Sequence, residues 1–272
     1  MSRSNPTDNS PNPTTRWFEW DGGNGGVRYY DKEAKKNVEV GDFTFILLDE
    51  MSTVKGWHDP SDSGIYSNEV RDTKQETLLV KSFKGGVLGE GLYAQIRDRI
   101  TAIGGKYSSS CYIAYKDDTG KLALGNIQLN GAVLNLWVDF KKASPSSMVN
   151  GKSVKDLYTK AIRISGKVAK KKGRVDFVVP EKFAFVPISP QANAEANELD
   201  KQLQSFLTAY LSRTKVEQAH PPIDDATKNA HQAFDNDQID HVAVEQEAAR
   251  QAAKRAERVP AEEEFVDDEI PF

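Results

Sequence analysis

The alternation of apolar and polar residues predicts a chain built mainly from short strands. Apolar runs of strand length recur between breaks rich in Gly, Asp and Asn, and such runs are typical of β-strands joined by turns. An Asn130-Gly131 turn is expected to join two of them as a hairpin. The predicted strands cover residues 27–30, 43–48, 64–71, 77–83, 107–115, 122–129, 132–140, 175–179 and 183–186.

Two segments show helical spacing instead. Apolar residues recur every three or four positions from Leu92 to Ile103, and Gly104-Gly105 then indicates the end of a helix. A second apolar stripe predicts a helix from Pro190 through Leu211 that packs on the strands. Many short strands with one mid-chain helix favour a mainly β fold, an OB-fold-like, partly open β-barrel that a C-terminal helix completes. A β-sandwich is the alternative.

Composition divides the chain into three regions. Residues 1–15 are rich in Ser, Asn, Pro and Thr, with almost nothing to bury, and are predicted to be disordered. Residues 16–215 form the predicted OB-fold-like domain. Beyond them apolar residues become sparse, and residues 216–272 are predicted to be a flexible acidic tail. Residues 85–91 and 167–174 are predicted to be a glycine-rich loop and a basic loop within the domain.

The net charge of −4 hides an asymmetry between the body and the tail. Residues 220–272 hold 14 acidic and 5 basic residues, a charge of −9, whereas residues 1–219 hold 26 acidic and 31 basic residues, a charge of +5. A basic body with an acidic tail suggests a nucleic-acid partner, although a solvated surface with a solubilising tail would have the same charges.

Several classes of protein are excluded or disfavoured. No apolar run is long enough to span a bilayer, and the N-terminus has no signal-peptide core, so we expect a cytoplasmic protein without a membrane partner. Cys111 is the only cysteine, which fits a reducing compartment. The chain shows no metal-ligand spacing, and Ser146 stands where a phosphate-binding loop ending at residues 151–153 would need glycine. Asp49-Glu50 is most simply a turn at a strand end. We predict no catalysis, no metal and no cofactor.

Aromatic residues interleaved with Lys and Arg indicate a single-strand groove, in which rings stack on bases and cations follow phosphates. Alternation along residues 133–141 places Trp137 on the polar face of its predicted strand, unless another segment covers it. The predicted stacking residues are Trp57, Tyr66, Tyr112 and Trp137. The predicted phosphate contacts are Arg71, Lys81, Lys84, Lys116, Lys141, Lys142, Lys170, Lys171, Lys172 and Arg174.

The last six residues form an acidic string with an aromatic end. The apolar end can enter a pocket on a partner, and basic residues at the pocket rim can pair with the terminal carboxylate. The tip resembles the acidic tip of bacterial single-stranded DNA-binding proteins, which implies recruitment of replication, repair and recombination proteins. It consists of Asp267, Asp268, Glu269, Ile270, Pro271 and Phe272.

The body resembles a different group. Three motifs are similar to a phage or mobile-element family of single-stranded DNA-binding proteins, and the resemblance spans roughly residues 17–213. It implies an OB-fold and a role in replication or recombination. The motifs are Trp57-His58-Asp59, Ser67-Asn68-Glu69-Val70-Arg71-Asp72 and Gly91-Leu92-Tyr93-Ala94-Gln95-Ile96-Arg97-Asp98-Arg99.

Together these features predict a non-catalytic protein that binds and protects single-stranded DNA without sequence preference and recruits partners through its tip. Two alternatives stay open: an adaptor that binds proteins only, and a nucleic-acid enzyme with an unrecognised metal site. The sequence also leaves open whether the chain acts alone or as a homo-oligomer.

Overall fold

The computed structural model describes residues 12–149 and 151–219. Within these ranges the chain forms fifteen β-strands and three α-helices. The helices are α1 (Tyr93–Ala102), α2 (Gly131–Ala143) and α3 (Pro190–Ala219). The strands are β1 (Arg16–Trp20), β2 (Val27–Asp31), β3 (Lys36–Val40), β4 (Phe43–His58), β5 (Ser63–Ser67), β6 (Leu78–Ser82), β7 (Gly86–Gly91), β8 (Gly105–Lys116), β9 (Leu122–Asn130), β10 (Ser146–Val149), β11 (Lys152–Lys155), β12 (Ala161–Ser165), β13 (Val168–Lys172), β14 (Val175–Val179) and β15 (Lys182–Val186).

Eleven of the described strands form one sheet. Nine follow the order β3-β2-β1-β9-β8-β4-β5-β6-β7, while β12 lies beside the first part of β4 and β15 lies beyond β12. The other four strands form two hairpins, β10–β11 and β13–β14. The sheet does not close into a barrel. The mainly β class, the mid-chain helix and the C-terminal helix are therefore confirmed, and the OB-fold relationship stays a prediction.

The sheet is organised around β4, a strand of 16 residues. It pairs with β8 from Phe45↔Tyr115 to Gly56↔Gly105, with an irregularity between Leu47 and Asp49. Its other edge pairs first with β12 and then, at its far end, with β5. The prediction that this strand ends near residue 48 at an Asp49-Glu50 turn is wrong, because the irregularity lets the strand continue through both acidic residues.

Both faces of the central sheet are covered. On one face, here called the α2 face, Cys111, Ile113 and Tyr115 of β8 enter a core that includes α2. On the opposite face, the α3 face, Tyr112 packs with α3. Helix α1 covers the α2 face further along the sheet, where Ile100 clusters with strand residues. Helices therefore cover parts of both faces around β4, β8 and β9.

Helix α2 replaces the predicted strand 132–140. Gly131 has a φ of +56°, so the Asn130-Gly131 pair does change the chain direction, but into a helix instead of a hairpin. The helix ends at Ser144, whose extended backbone precedes Pro145. Val133 and Trp137 lie four positions apart and are the buried residues of the helix. Trp137 is 0% exposed, so its predicted place on a polar strand face was wrong.

Two predicted loops are also strands. The glycine-rich segment is β7, which pairs with β6, and the basic segment forms most of the β13–β14 hairpin. Backbone pairing with a neighbour overrides the weak strand tendency of Gly and Lys in both places. The prediction of α1 is confirmed, and its C-terminal Gly104 has the positive φ of +97° that such a stop requires. Among the described helices, none has the length and apolar character of a membrane span.

Replacement of Trp137 by alanine is expected to destabilise the domain by about 3–5 kcal/mol, because it removes a buried indole from the core. Urea unfolding followed by circular dichroism measures this loss. Lys142→Ala, an exposed change on the same helix, is the control and should alter stability by no more than about 0.5 kcal/mol. Normal stability of W137A would contradict the core placement of Trp137.

Candidate nucleic-acid interface

One part of the sheet combines aromatic rings and cations on the same side. Ile65 of β5 and Val80 of β6 pack with α1, so alternation places Tyr66 and Lys81 on the opposite side of these strands. Tyr66 and Lys81 are direct cross-strand partners. Both side chains are partly exposed. The fold therefore places a predicted stacking residue, Tyr66, directly beside a predicted phosphate contact, Lys81, on one surface.

Phe83 extends this surface. Its ring centre lies 4.7 Å from that of Tyr66, with the ring planes tilted by 31°. Phe83 is itself partly exposed, so the two rings form a ledge that water can reach. Lys84 follows in the turn to β7 and is exposed. A ledge of this kind presents ring surface on which a flat base can stack.

Lys55 of β4 joins the ledge to the next strands. Because Gly56 pairs with Ile65, Lys55 lies beside Tyr66 across the β4–β5 boundary. Its ammonium group lies 5.8 Å from the centre of the Trp17 ring, a cation–π distance. Lys106, its partner on β8, is exposed. We call this surface the aromatic-cation face, and it consists of Trp17, Lys55, Tyr66, Lys81, Phe83, Lys84 and Lys106.

A partly buried carboxylate lies next to this face. Tyr112 donates a hydrogen bond of 2.6 Å to Glu69, and the backbone N–H of Glu69 donates to the Tyr210 hydroxyl at 3.0 Å. Burial raises the pKa of Glu69, an effect that hydrogen bonds with Ser110 and Tyr112 and the charge of Lys55 reduce only in part. The network ties β8, the segment after β5 and α3 together beside the aromatic-cation face.

Two predicted phosphate contacts are held by carboxylates instead. Arg71 makes a two-pronged ion pair with Asp49, at 2.8 and 2.9 Å, and the pair raises the pKa of Arg71. Lys141 donates to Glu50 at 2.5 Å. Each pairing offsets one positive charge, so these two cations contribute less to an anionic ligand than their sequence positions suggested.

Three of the four predicted stacking residues belong to the core. Tyr112 is 2% exposed because α3 covers the side of β8 that was expected to be open. Trp57 is 8% exposed and lies one residue before the end of β4. The Trp137 indole N–H donates to Glu50 at 3.1 Å, under α2. Of the four predicted stacking residues, Tyr66 alone is partly exposed, and the other three are buried.

The remaining predicted cations lie on other surfaces. Lys116 ends β8 far from Lys106, and Lys142 lies in the last turn of α2. Lys170, Lys171, Lys172 and Arg174 are exposed on the β13–β14 hairpin. The predicted tip, residues 267–272, lies outside the described residues.

Trp17, Lys55, Phe83 and Lys106 belong to the aromatic-cation face without having been predicted. The sequence signal for Lys55 was the alternation of apolar and polar residues, which continues along β4 as far as residue 57. The acidic pair at 49–50 concealed this continuation, because it suggested that the strand had ended. For Trp17 and Phe83 the signal was a ring next to a basic residue, as in Arg16-Trp17 and Phe83-Lys84. Their meeting depends on strand order, which no local pattern contains.

No metal-binding group of three or more His, Cys, Asp or Glu side chains occurs in the described part of the chain. Comparisons with protein-family models, curated proteins and solved structures find no match to this chain. The chemistry of the surface therefore has to be argued from its own residues.

Replacement of Glu69 by glutamine is expected to change how stability depends on pH. Because the folded pKa of Glu69 is raised, the native state holds more protons than the unfolded state above the usual Glu pKa of 4.5. The stability of the wild type relative to E69Q should therefore fall as the pH rises from about 4.5, until it passes the folded pKa, and urea unfolding at a series of pH values measures this difference. Glu39→Gln, an exposed change on β3, is the control; a pH-independent difference for E69Q would contradict the burial of this carboxylate.

Proposed function

We propose that the protein binds single-stranded DNA on the aromatic-cation face. The observation that carries the proposal is the contact between Tyr66 and Phe83 with Lys81 directly beside Tyr66. Stacking on an aromatic ring contributes about 1–3 kcal/mol per base and tolerates every base. The neighbouring lysines supply the charge that follows the phosphates. Binding of this type protects exposed strands without reading their sequence.

Single strands fit this surface better than duplexes do. The rings on the face can stack only on bases that are unpaired and accessible, whereas bases in a duplex already stack on their neighbours. The cations lie on either side of the rings: Lys81 next to Tyr66, and Lys55 towards Trp17. A backbone that passes the rings can therefore meet positive charge before and after each stacked base.

The sequence supplies the second half of the proposal. The acidic tail ends in Ile270-Pro271-Phe272, and its resemblance to the tip of bacterial single-stranded DNA-binding proteins supports recruitment of replication and recombination proteins. The predicted OB-fold-like architecture and the resemblance of the body to single-stranded DNA-binding proteins of phages or mobile elements favour the same role. On this proposal, the body holds the strand and the tip brings enzymes to it, without catalysis or a cofactor in the body itself.

Titration of labelled oligo-dT with the full-length protein tests the proposal. Anisotropy should show binding that weakens with salt, with a slope of about −0.7 in log affinity against log salt for each phosphate contacted. A matched duplex should bind more weakly at this face. If the protein binds no oligo-dT at low salt, the adaptor alternative replaces the proposal.

Replacement of Tyr66 by alanine should weaken oligo-dT binding by about 1–3 kcal/mol, a factor of roughly 5 to 150, because it removes a stacking ring. Tyr66→Phe is the matched control and should bind nearly as well as the wild type, since it keeps the ring. Equal losses in both variants would assign the effect to the hydroxyl group and contradict stacking. Circular dichroism establishes that both variants are folded.

A further inference from the structure

The β13–β14 hairpin carries a second positively charged surface. Lys170, Lys171, Lys172 and Arg174 lie within five positions, and all are exposed. The carboxylate of Asp176, on the same hairpin, lies 3.7 Å from the ammonium group of Lys171. The aromatic-cation face includes none of these residues, so the hairpin needs its own explanation.

The base of the hairpin is fixed to the body. The Trp20 indole N–H donates to the carbonyl of Val178 at 2.8 Å, and the N–H of Val178 donates to the carbonyl of Gly22 at 2.9 Å. Val179 is buried in the core under α2, and Phe177 packs against that core. Residues 168–176 are all exposed. Beyond the rungs that Phe177, Val178 and Val179 hold to the body lie the Lys171–Asp176 and Lys172–Val175 pairs and the turn, so the ribbon projects about 7 Å before its turn.

The lysines point to both sides of this ribbon. Lys170 pairs with Phe177 and Lys172 with Val175, so these two lysines share one side. Lys171 pairs with Asp176, and alternation places it on the other side. The exposed part, residues 168–176, contains no aromatic residue. It therefore offers two lysines on one side and Lys171, 3.7 Å from Asp176, on the other, and no ring on which a base could stack.

We propose that this ribbon enters the major groove of duplex DNA and contacts the phosphates of both strands. The groove is about 12 Å wide and admits a two-stranded β-ribbon. Cations on both sides of the ribbon can reach the two phosphate walls at once, whereas a single strand presents only one line of phosphates. Contact with phosphates alone carries no sequence information, so the binding is independent of sequence.

The two surfaces can be occupied together. The hairpin is attached beside the β1–β2 turn, while Tyr66 and Lys81 lie on β5 and β6, with β9, β8 and β4 between β1 and β5 in the sheet. At about 4.8 Å per strand, the hairpin base and the Tyr66–Lys81 part of the aromatic-cation face are separated by on the order of 19 Å, while Trp17 of that face lies on β1 itself. A duplex with a single-stranded tail is therefore the ligand that would engage the whole molecule. The duplex contact itself does not depend on the proposed single-strand function.

The test compares two triple variants of the full chain. K170Q/K171Q/K172Q removes three charges from the hairpin, and K32Q/K35Q/K36Q removes three exposed charges from the region between β2 and β3. Affinities for a blunt 20-bp duplex and for oligo-dT are measured from 50 to 200 mM salt. Thermal unfolding establishes that both variants are folded.

Duplex affinity should fall in the hairpin variant and stay near the wild-type value in the control. Loss of three phosphate contacts reduces the slope of log affinity against log salt by about 2.7. When salt is raised fourfold, the factor by which duplex affinity falls should therefore be about 40 times smaller in the hairpin variant than in the wild type. Oligo-dT affinity should change little in either variant.

Equal losses on duplex and oligo-dT would overturn the inference, because the hairpin would then contact phosphates of either ligand. Equal losses in the two variants would also overturn it, since only net charge would matter. A loss confined to the duplex, in a protein whose wild type does not bind oligo-dT, would support the hairpin inference and remove the proposed single-strand function.

Discussion

The pairing of β4 with β8 along almost their whole lengths is the constraint on which the rest of the structure depends. Twelve residues of β8 and 16 of β4 form a ribbon about 40 Å long, which neither α1 with 10 residues nor α2 with 13 can cover alone. Helices α1 and α2 therefore divide one face between them, and α3 takes part of the other. The aromatic-cation face lies on the far part of the ribbon, on the side opposite α1.

The irregularity between Leu47 and Asp49 sets where the helices dock. Alternation puts the two adjacent carboxylates on opposite faces, and the irregularity places Asp49 opposite Tyr112 on the α3 face instead of on the α2 face with Leu47. Asp49 accepts from Gln204 of α3 at 2.9 Å, while Glu50 accepts from Trp137 and Lys141 of α2. A carboxylate removed from water is costly unless donors surround it, so each acidic residue favours one helix position over others. The acidic pair, which was predicted to end the strand, therefore helps to orient α3 on one face of the sheet and α2 on the other.

The two cationic surfaces differ in a way that matters for nucleic-acid binding. On the aromatic-cation face, charge alternates with rings that are set into the sheet, as around Tyr66 and Lys81. On the β13–β14 hairpin, charge stands on a projecting ribbon without rings. Stacking requires separated bases, whereas insertion into a groove requires a narrow projection with charge on both sides. The two proposals therefore assign a different form of DNA to each surface.

Local pattern determined α1 and the β8 and β9 strands, because apolar spacing acts over a few positions. Tertiary contacts decided α2, since residues 132–140 satisfy the periods of both a strand and a helix, and the helix gains a buried position for Trp137 beside Glu50. They also decided which side of β8 is covered. Alternation separates Tyr112 from Cys111 but does not say which side a distant helix will bury, and so the exposed rings were identified only by the packing of α3 and the order of the strands.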